Sequence, residues 1–169
     1  MSDMRRISVG KGAGVSETDY DVFICYADTD KELVRTISLK LMERGIKPWF
    51  DEWELRPGLA WQETLENEIE RINSAAVFVG KMGIGPWQNR ELRALLEQFI
   101  RRGCLVIPVI LPTAAPGLEL PVFLRSFAWV DFRKTNPDPL AQLIWGIMGK
   151  RPILRTPDTI PSGPERMHA

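Results

Sequence analysis

One histidine and two cysteines are all that this chain of 169 residues offers of the imidazole and thiol groups from which most transition-metal sites and nucleophile–base relays are built. The histidine, His168, stands in the terminal tail, which removes histidine-based triads and His-ligated metals from consideration. Cys25 and Cys104 lie far apart inside apolar runs and form no C-x-x-C pair. Neither a disulfide framework nor a zinc site is therefore expected, and a reducing, cytoplasmic setting fits best. Charge of either sign is missing as a net quantity, because 22 Lys and Arg balance 22 Asp and Glu. No broad basic field argues for nucleic acid and no acidic tail for a basic partner. No apolar run approaches the roughly 18 residues that a membrane span needs. The opening MSDMRRISVGKGAGVSETD lacks the apolar centre of a secretory signal. What is present, 44% hydrophobic and 26% charged residues, is the composition of a soluble globular protein, long enough for one domain with a sizeable core plus loose ends.

Along the chain, residues 1–18 are polar, glycine-rich and without periodicity, and read as a disordered lead. The end, residues 150–169, carries four prolines and no apolar period, as a linker or loose tail would. Residues 19–149 hold the expected domain, in which short apolar runs alternate with helical patterns. YDVFICY (20–26) predicts a strand. Thr29-x-x-Glu32 matches a capping box, Leu33, Val34, Ile37 and Leu41 follow at helical spacing, and Gly45 supplies the stop. IKPWFD (46–51) predicts an edge strand, since Pro48 cannot donate to a ladder. EWELRPGLAW (52–61) reads as a loop broken by Pro57-Gly58. Trp61, Leu65, Ile69 and Ile72 then mark a helix with one buried face. SAAVFVG (74–80) is apolar on both faces, as a central strand is. After the loop KMGIG, GPWQNRELRALLEQFIRRG predicts a helix with Pro86 in its first turn. CLVIPVIL (104–111) is a further strand interrupted by Pro108, and residues 113–126 are irregular. FAWVDF (127–132) is a last strand. Asp138-Pro139 then opens a helix with the stripe Leu140, Leu143, Ile144, Ile147 and Met148.

That alternation implies an α/β domain, a flavodoxin-like three-layer sandwich with a five-stranded parallel sheet of order 2-1-3-4-5 and helices on both faces. Ligands of such sheets bind beyond the C-terminal strand ends, where the winding reverses between strands one and three. The loop after strand one begins Tyr26-Ala27-Asp28-Thr29, and the loop after strand three runs straight into GPWQNREL (85–92). In that helix Leu92, Leu95, Leu96 and Phe99 form the core face. Trp87 and Glu91, four apart, share one flank of it. A Trp beside a carboxylate at a crevice rim can stack on a flat ligand and hold the acid near it. Equally, a Glu in the first half of a helix complements the dipole and a Trp caps the core.

Other features weigh less. VGKMGIG lacks the ending and spacing of a Walker motif. Asp28 and Asp51 both follow strands, as in a response-regulator acidic pocket, but Gly80-Lys81 stands where that pocket needs its nucleophilic Asp. Asp51-Glu52 offers carboxylates to a cation, although capping the following loop is the commoner task. Arg101-Arg102 fits the decoration of a helix C-terminus.

Taken in order, YDVFICYADTD, GIKPWFDEWELRPGLAWQETLENEIE and PWQNREL resemble the TIR (Toll/interleukin receptor) domain family over about residues 19–149. The D-x-x-x-L-x-P-G-x-x-W loop from Asp51 to Trp61 and the Trp-x-x-x-Glu at Trp87–Glu91 carry most of the likeness. The resemblance implies the flavodoxin-like fold. In its bacterial-type branch it also implies cleavage of the nicotinamide–ribose bond of NAD+, with NAD+ as substrate and no cofactor. Glu91 then matches the catalytic acid. Tyr26, Ala27, Asp28, Leu55, Arg56, Trp61 and Trp87 match the substrate-binding positions. Cys25 replaces a usual Ser, Ala27-Asp28 replaces a basic pair of some enzymatic members, and Arg56 stands where some relatives carry an acid. These departures bear on substrate contacts more than on Glu91.

Two function classes follow from the resemblance. One is an NAD+ glycohydrolase activated when copies assemble through the 52–61 loop, with other TIR domains as partners and a sensor joined through the C-terminal tail. The other is a signalling adaptor using the same loop without catalysis. A nucleotide-binding sensor without turnover is a third. Adaptor-type members commonly lack an acid at the position of Glu91, so its presence favours the enzyme.

Overall fold

The computed structural model describes residues 20–83 and 90–151, with the side chains of residues 61–62 and 90–92 outside that description. The expected lead and tail thus lie outside the described residues, except for the start of the tail. Strand β1 (Val22–Cys25) is followed by helix α1 (Lys31–Glu43), edge strand β2 (Pro48–Trp49), a one-turn helix α2 (Asp51–Glu54) and helix α3 (Trp61–Ile69). Then come β3 (Ser74–Val79), α4 (Arg90–Arg101), β4 (Leu105–Ile110), β5 (Val130–Asp131) and α5 (Pro139–Met148). All strand pairs are parallel and their spatial order is 2-1-3-4-5, as the pattern of apolar runs implies.

The pleat explains the three layers. Alternate strand residues point to opposite faces. Phe23, Cys25, Ala75, Val77 and Val79 face the side packed by Ile69, Leu95, Leu96 and Phe99 of α3 and α4. Val22, Ile24, Ala76 and Phe78 face Val34, Ile37 and Leu41 of α1 and Leu143 of α5. Every residue of β3 is buried, as its central place requires. Pro108 pairs opposite Val77 of β3. On the outer side of β4, β5 begins to pair only at Val109, so Pro108 sits where that side has no ladder to feed. On α5, Leu143 is buried and Leu140, Ile144 and Ile147 pack on the core, while Met148 is 46% exposed.

Helix ends follow local rules with one exception. Gly45 turns at φ 79°, and its neighbour Ile46 donates its amide back to Leu41, a left-handed stop that a glycine adopts without strain. Asp138 accepts from the Leu140 amide to open α5. The capping box expected at Thr29 is not formed. Thr29 lies inside a 3-10 turn, Asp28–Asp30, and Asp30 holds the N-cap of α1 without a capping bond. Glu32 pairs with Arg35 one turn on at 2.8 Å. The arginine pair also acts beyond its own helix. Arg102 donates to the carbonyls of Ile69, Glu70 and Ile72 at 2.7–3.0 Å and lies over the Phe99 ring, so it caps α3 from the end of α4.

No helix among the described residues is long and apolar enough to cross a membrane.

Candidate functional site

Parallel pairing brings the C-terminal ends of β1 and β3 side by side, with Cys25 opposite Val77. The chains leaving them part to opposite faces, toward α1 and α4, and this opens the crevice. Tyr26 and Ala27, the first residues beyond β1, are both buried. Asp28 is exposed, whereas Asp30, at the other end of the 3-10 turn, is 5% exposed. Beyond β3, Gly80 and Gly83 exchange two backbone hydrogen bonds of 3.2 and 3.0 Å. Glu91 lies in the first described turn of α4. Trp87 lies outside the described residues, and Trp61 is the first residue of α3.

The loop after β2, expected to be irregular from residue 52, begins instead as α2, and three side chains from elsewhere hold that turn. Tyr26 donates its hydroxyl to Asp51 Oδ1 at 2.5 Å, and the Glu52 amide donates to the same oxygen at 2.8 Å. Arg35 of α1 grips both carboxylate oxygens of Glu52 at 2.6 Å. Tyr20 donates to Glu54. The Tyr26 ring stacks on Phe50 at 5.1 Å. Of the expected contacts Leu55, Arg56 and Trp61, Leu55 packs against the core cluster of Phe23 and Trp49, Arg56 is exposed, and the Trp61 side chain lies outside the described residues.

Electrostatics separate these groups. Burial first, and then the Asp51 bond and charge, push the Tyr26 phenol well above its ordinary range. It stays a proton donor and cannot serve as a base near neutrality. Arg35 holds the Glu52 carboxyl below its usual value. Burial raises the Asp30 carboxyl instead, and its Oδ2 is buried with no hydrogen-bond partner. Space for that carboxylate exists because residue 80 is glycine. A Cβ there would stand 2.2 Å from Asp30 Oδ1 and 2.4 Å from Oδ2.

Asp30 and Gly80 were not singled out as a pair from sequence. Gly80 enters the sequence reading only as the residue that excludes a nucleophilic Asp. The legible signal is a glycine at the end of a strand otherwise filled with larger residues, opposite an Asp-rich loop. Of the expected site residues, the structure gathers Tyr26, Ala27 and Asp28 at the end of β1, and Leu55 and Arg56 just past α2. Glu91 is carried on the helix that follows β3.

A doubly wound parallel sheet of five strands in the order 2-1-3-4-5 defines a flavodoxin-like α/β domain. The profile of the TIR domain matches residues 22–144, and the chain belongs to that family. It is 31% identical over 106 residues to the NAD(+) hydrolase TcpA of a Theionarchaea archaeon, a match covering 62% of this chain and 32% of the relative. It is 27% identical over 96 residues to the 2' cyclic ADP-D-ribose synthase AbTIR of Acinetobacter baumannii, covering 56% and 36%. The matched stretch thus spans about a third of each of these curated relatives. Among solved structures, the TIR domain of the Toll-related receptor TRR-2 from Hydra magnipapillata superposes with a TM-score of 0.60 at 26% identity, over 76% of this chain and 98% of that one.

Proposed function

We propose that this TIR domain is an NAD+ nucleosidase that breaks the nicotinamide–ribose bond with Glu91 as its catalytic acid. The observation that carries the reading is the placement of Glu91 in α4, the helix that follows β3 at the sheet's reversal point. The similarity to proteins named as an NAD(+) hydrolase and a cyclic ADP-ribose synthase supports it.

The chemistry asks little beyond a carboxylate. Nicotinamide bound through its ring nitrogen leaves as a neutral molecule, taking the bonding pair, so no acid need protonate it. Positive charge then develops on the ribose, as in an oxocarbenium-like glycosidase transition state. A carboxylate near the anomeric carbon stabilises that charge. Capture of the anomeric carbon by water, with loss of a proton, gives ADP-ribose, and capture by a hydroxyl of the same molecule gives a cyclic form. The resemblance assigns Trp61, Trp87, Ala27, Asp28, Leu55 and Arg56 to substrate contact, and of these Asp28 and Arg56 are exposed. Tyr26 keeps its ring at the rim while its hydroxyl holds Asp51.

The setting we infer is a cytoplasmic signalling or defence effector, activated by self-association and coupled to a sensor through its C-terminal tail. Leu59, 56% exposed, and Trp53, 38% exposed, present apolar surface on the loop after β2. That surface also supports the second reading, an adaptor acting through TIR–TIR contacts alone. Nicotinamide release from NAD+ by the concentrated purified chain, beside Glu91→Ala, separates the two. Turnover by the parent alone establishes the nucleosidase and its acid. Absence of turnover by both, even when the chain is crowded on a surface, favours the adaptor, and equal turnover by both overturns the assignment of Glu91.

A further inference from the structure

Three carboxylates stand at or just beyond the C-terminal ends of β1 and β2, and their states differ. Asp51 already accepts from the Tyr26 hydroxyl and the Glu52 amide. Asp28 is exposed and solvated by water. Asp30 is 5% exposed, and one of its oxygens is buried without a donor. A buried acceptor left without a donor costs the full desolvation of that group. An acceptor in this state calls for an explanation, and a hydrogen bond supplied by a ligand is one. The glycine at 80 reinforces the point, since the carboxylate rests where any larger residue's Cβ would be.

From this geometry we infer that Asp30 is a substrate-binding residue whose carboxylate accepts hydrogen bonds from the ribose hydroxyls of the substrate. The inference rests on the nucleosidase reading. The chemistry selects the ligand group. A carboxylate repels phosphate, so the pyrophosphate is not its partner. A ribose hydroxyl can donate to a carboxylate, a pairing that dinucleotide-binding folds use with an acid at the ribose. The place also fits, because Gly80 begins the connection from β3 to the helix of Glu91, and the bond to be broken joins that ribose. Gly80 admits the acid at this point, and Asp30 holds the sugar while Glu91 meets its developing charge.

The test compares the full chain with Asp30→Asn and Asp30→Ala, measuring kcat and KM separately. The substrates are NAD+ and analogues lacking the 2′- or the 3′-hydroxyl of the nicotinamide ribose. Circular dichroism and thermal midpoints identify any variant that fails to fold, and Asp30→Asn keeps the side-chain shape. Loss of a charge-assisted hydrogen bond predicts a rise in KM of about tenfold or more with NAD+. With at least one deoxy analogue, the same substitution is expected to change KM less than threefold. An unchanged KM for NAD+ in the folded Asp30→Asn chain overturns the assignment while leaving the nucleosidase intact. So does an equal penalty on NAD+ and both analogues, which would place Asp30 against the carboxamide or in a purely structural role. If the parent chain releases no nicotinamide, the underlying reading fails, and this assignment fails with it.

Discussion

Tyr26 and Asp51 meet across 2.5 Å, the phenol of one strand's end donating to the carboxylate that opens the helix after the neighbouring strand. The bond joins the rim of the crevice to the base of the exposed loop around Leu59, so removing it acts on both. Tyr26→Phe leaves Asp51 the Glu52 amide donor at 2.8 Å and is expected to destabilise the fold by about 1–2 kcal/mol. Urea unfolding measures the loss, and an unchanged midpoint would mean that water replaces the phenol at no cost. Because burial and Asp51 push the Tyr26 phenol far above its ordinary value, Tyr26→Phe should leave the phenolate absorbance gained by pH 11 unchanged relative to the parent.

A second expectation concerns Arg102. Its guanidinium serves the carbonyls of Ile69 and Glu70 at the end of α3 and of Ile72 just beyond it, adding to the bond that Ile69 already accepts from the Ile72 amide. Arg102→Ala should cost about 2 kcal/mol, whereas Arg101→Ala, next to it in sequence, should cost less than about 0.5 kcal/mol as an ordinary surface change. Matched thermal midpoints for the two variants would show that water caps α3 as well as the arginine does.

The Gly80–Asp30 contact predicts non-additivity. Gly80→Ala forces a methyl group into the carboxylate and should destabilise by about 1–3 kcal/mol, the usual range for overpacking. In the Asp30→Ala background the same methyl enters space that has been vacated, so its cost should fall to near zero. Equal costs in both backgrounds would place the strain in the backbone instead.

Asp30 also predicts a pH signature. Its folded-state value is raised by burial, so between the unfolded value near ~4 and the raised value the native chain binds more protons. Stability contributed by this group therefore falls as pH rises through that window. Asp131 works in the other direction. Arg133 holds its carboxyl low, so its contribution is present above the unfolded value and is lost on acidification. The difference between parent and Asp30→Asn isolates the first effect. From pH 4 upward the parent should lose stability relative to the variant, and parallel urea midpoints across that range would refute the claim.

The strands and the larger helices are legible in the sequence because their signals are local. β3 is a continuous apolar run, and Val34, Ile37 and Leu41 repeat at helical spacing whatever lies elsewhere. α2 is illegible for the opposite reason. DEWE has no apolar period of its own, and the turn is held by Tyr20, Tyr26 and Arg35, which come from 17 to 34 positions away. The capping box at Thr29 misleads because the chain turns once before the helix starts and hands the N-cap to Asp30. The burial of Asp30 depends on a glycine that follows a different strand, and no window of sequence contains both. For the site, position in the fold is readable from the order of elements, and the role proposed for Glu91 comes from the resemblance to the family's motif. The unfilled acceptor on Asp30 emerges only once β1 and β3 are adjacent.

Both borders of the sheet are blunt. β2 and β5 contribute two residues each to the ladder, and β2 begins with a proline. A border so short, with a donor missing, cannot template strand addition by another copy. In the self-association proposed above, contact between copies would therefore fall to helices and loops rather than to the borders of the sheet, which keeps such an assembly distinct from a cross-strand fibre.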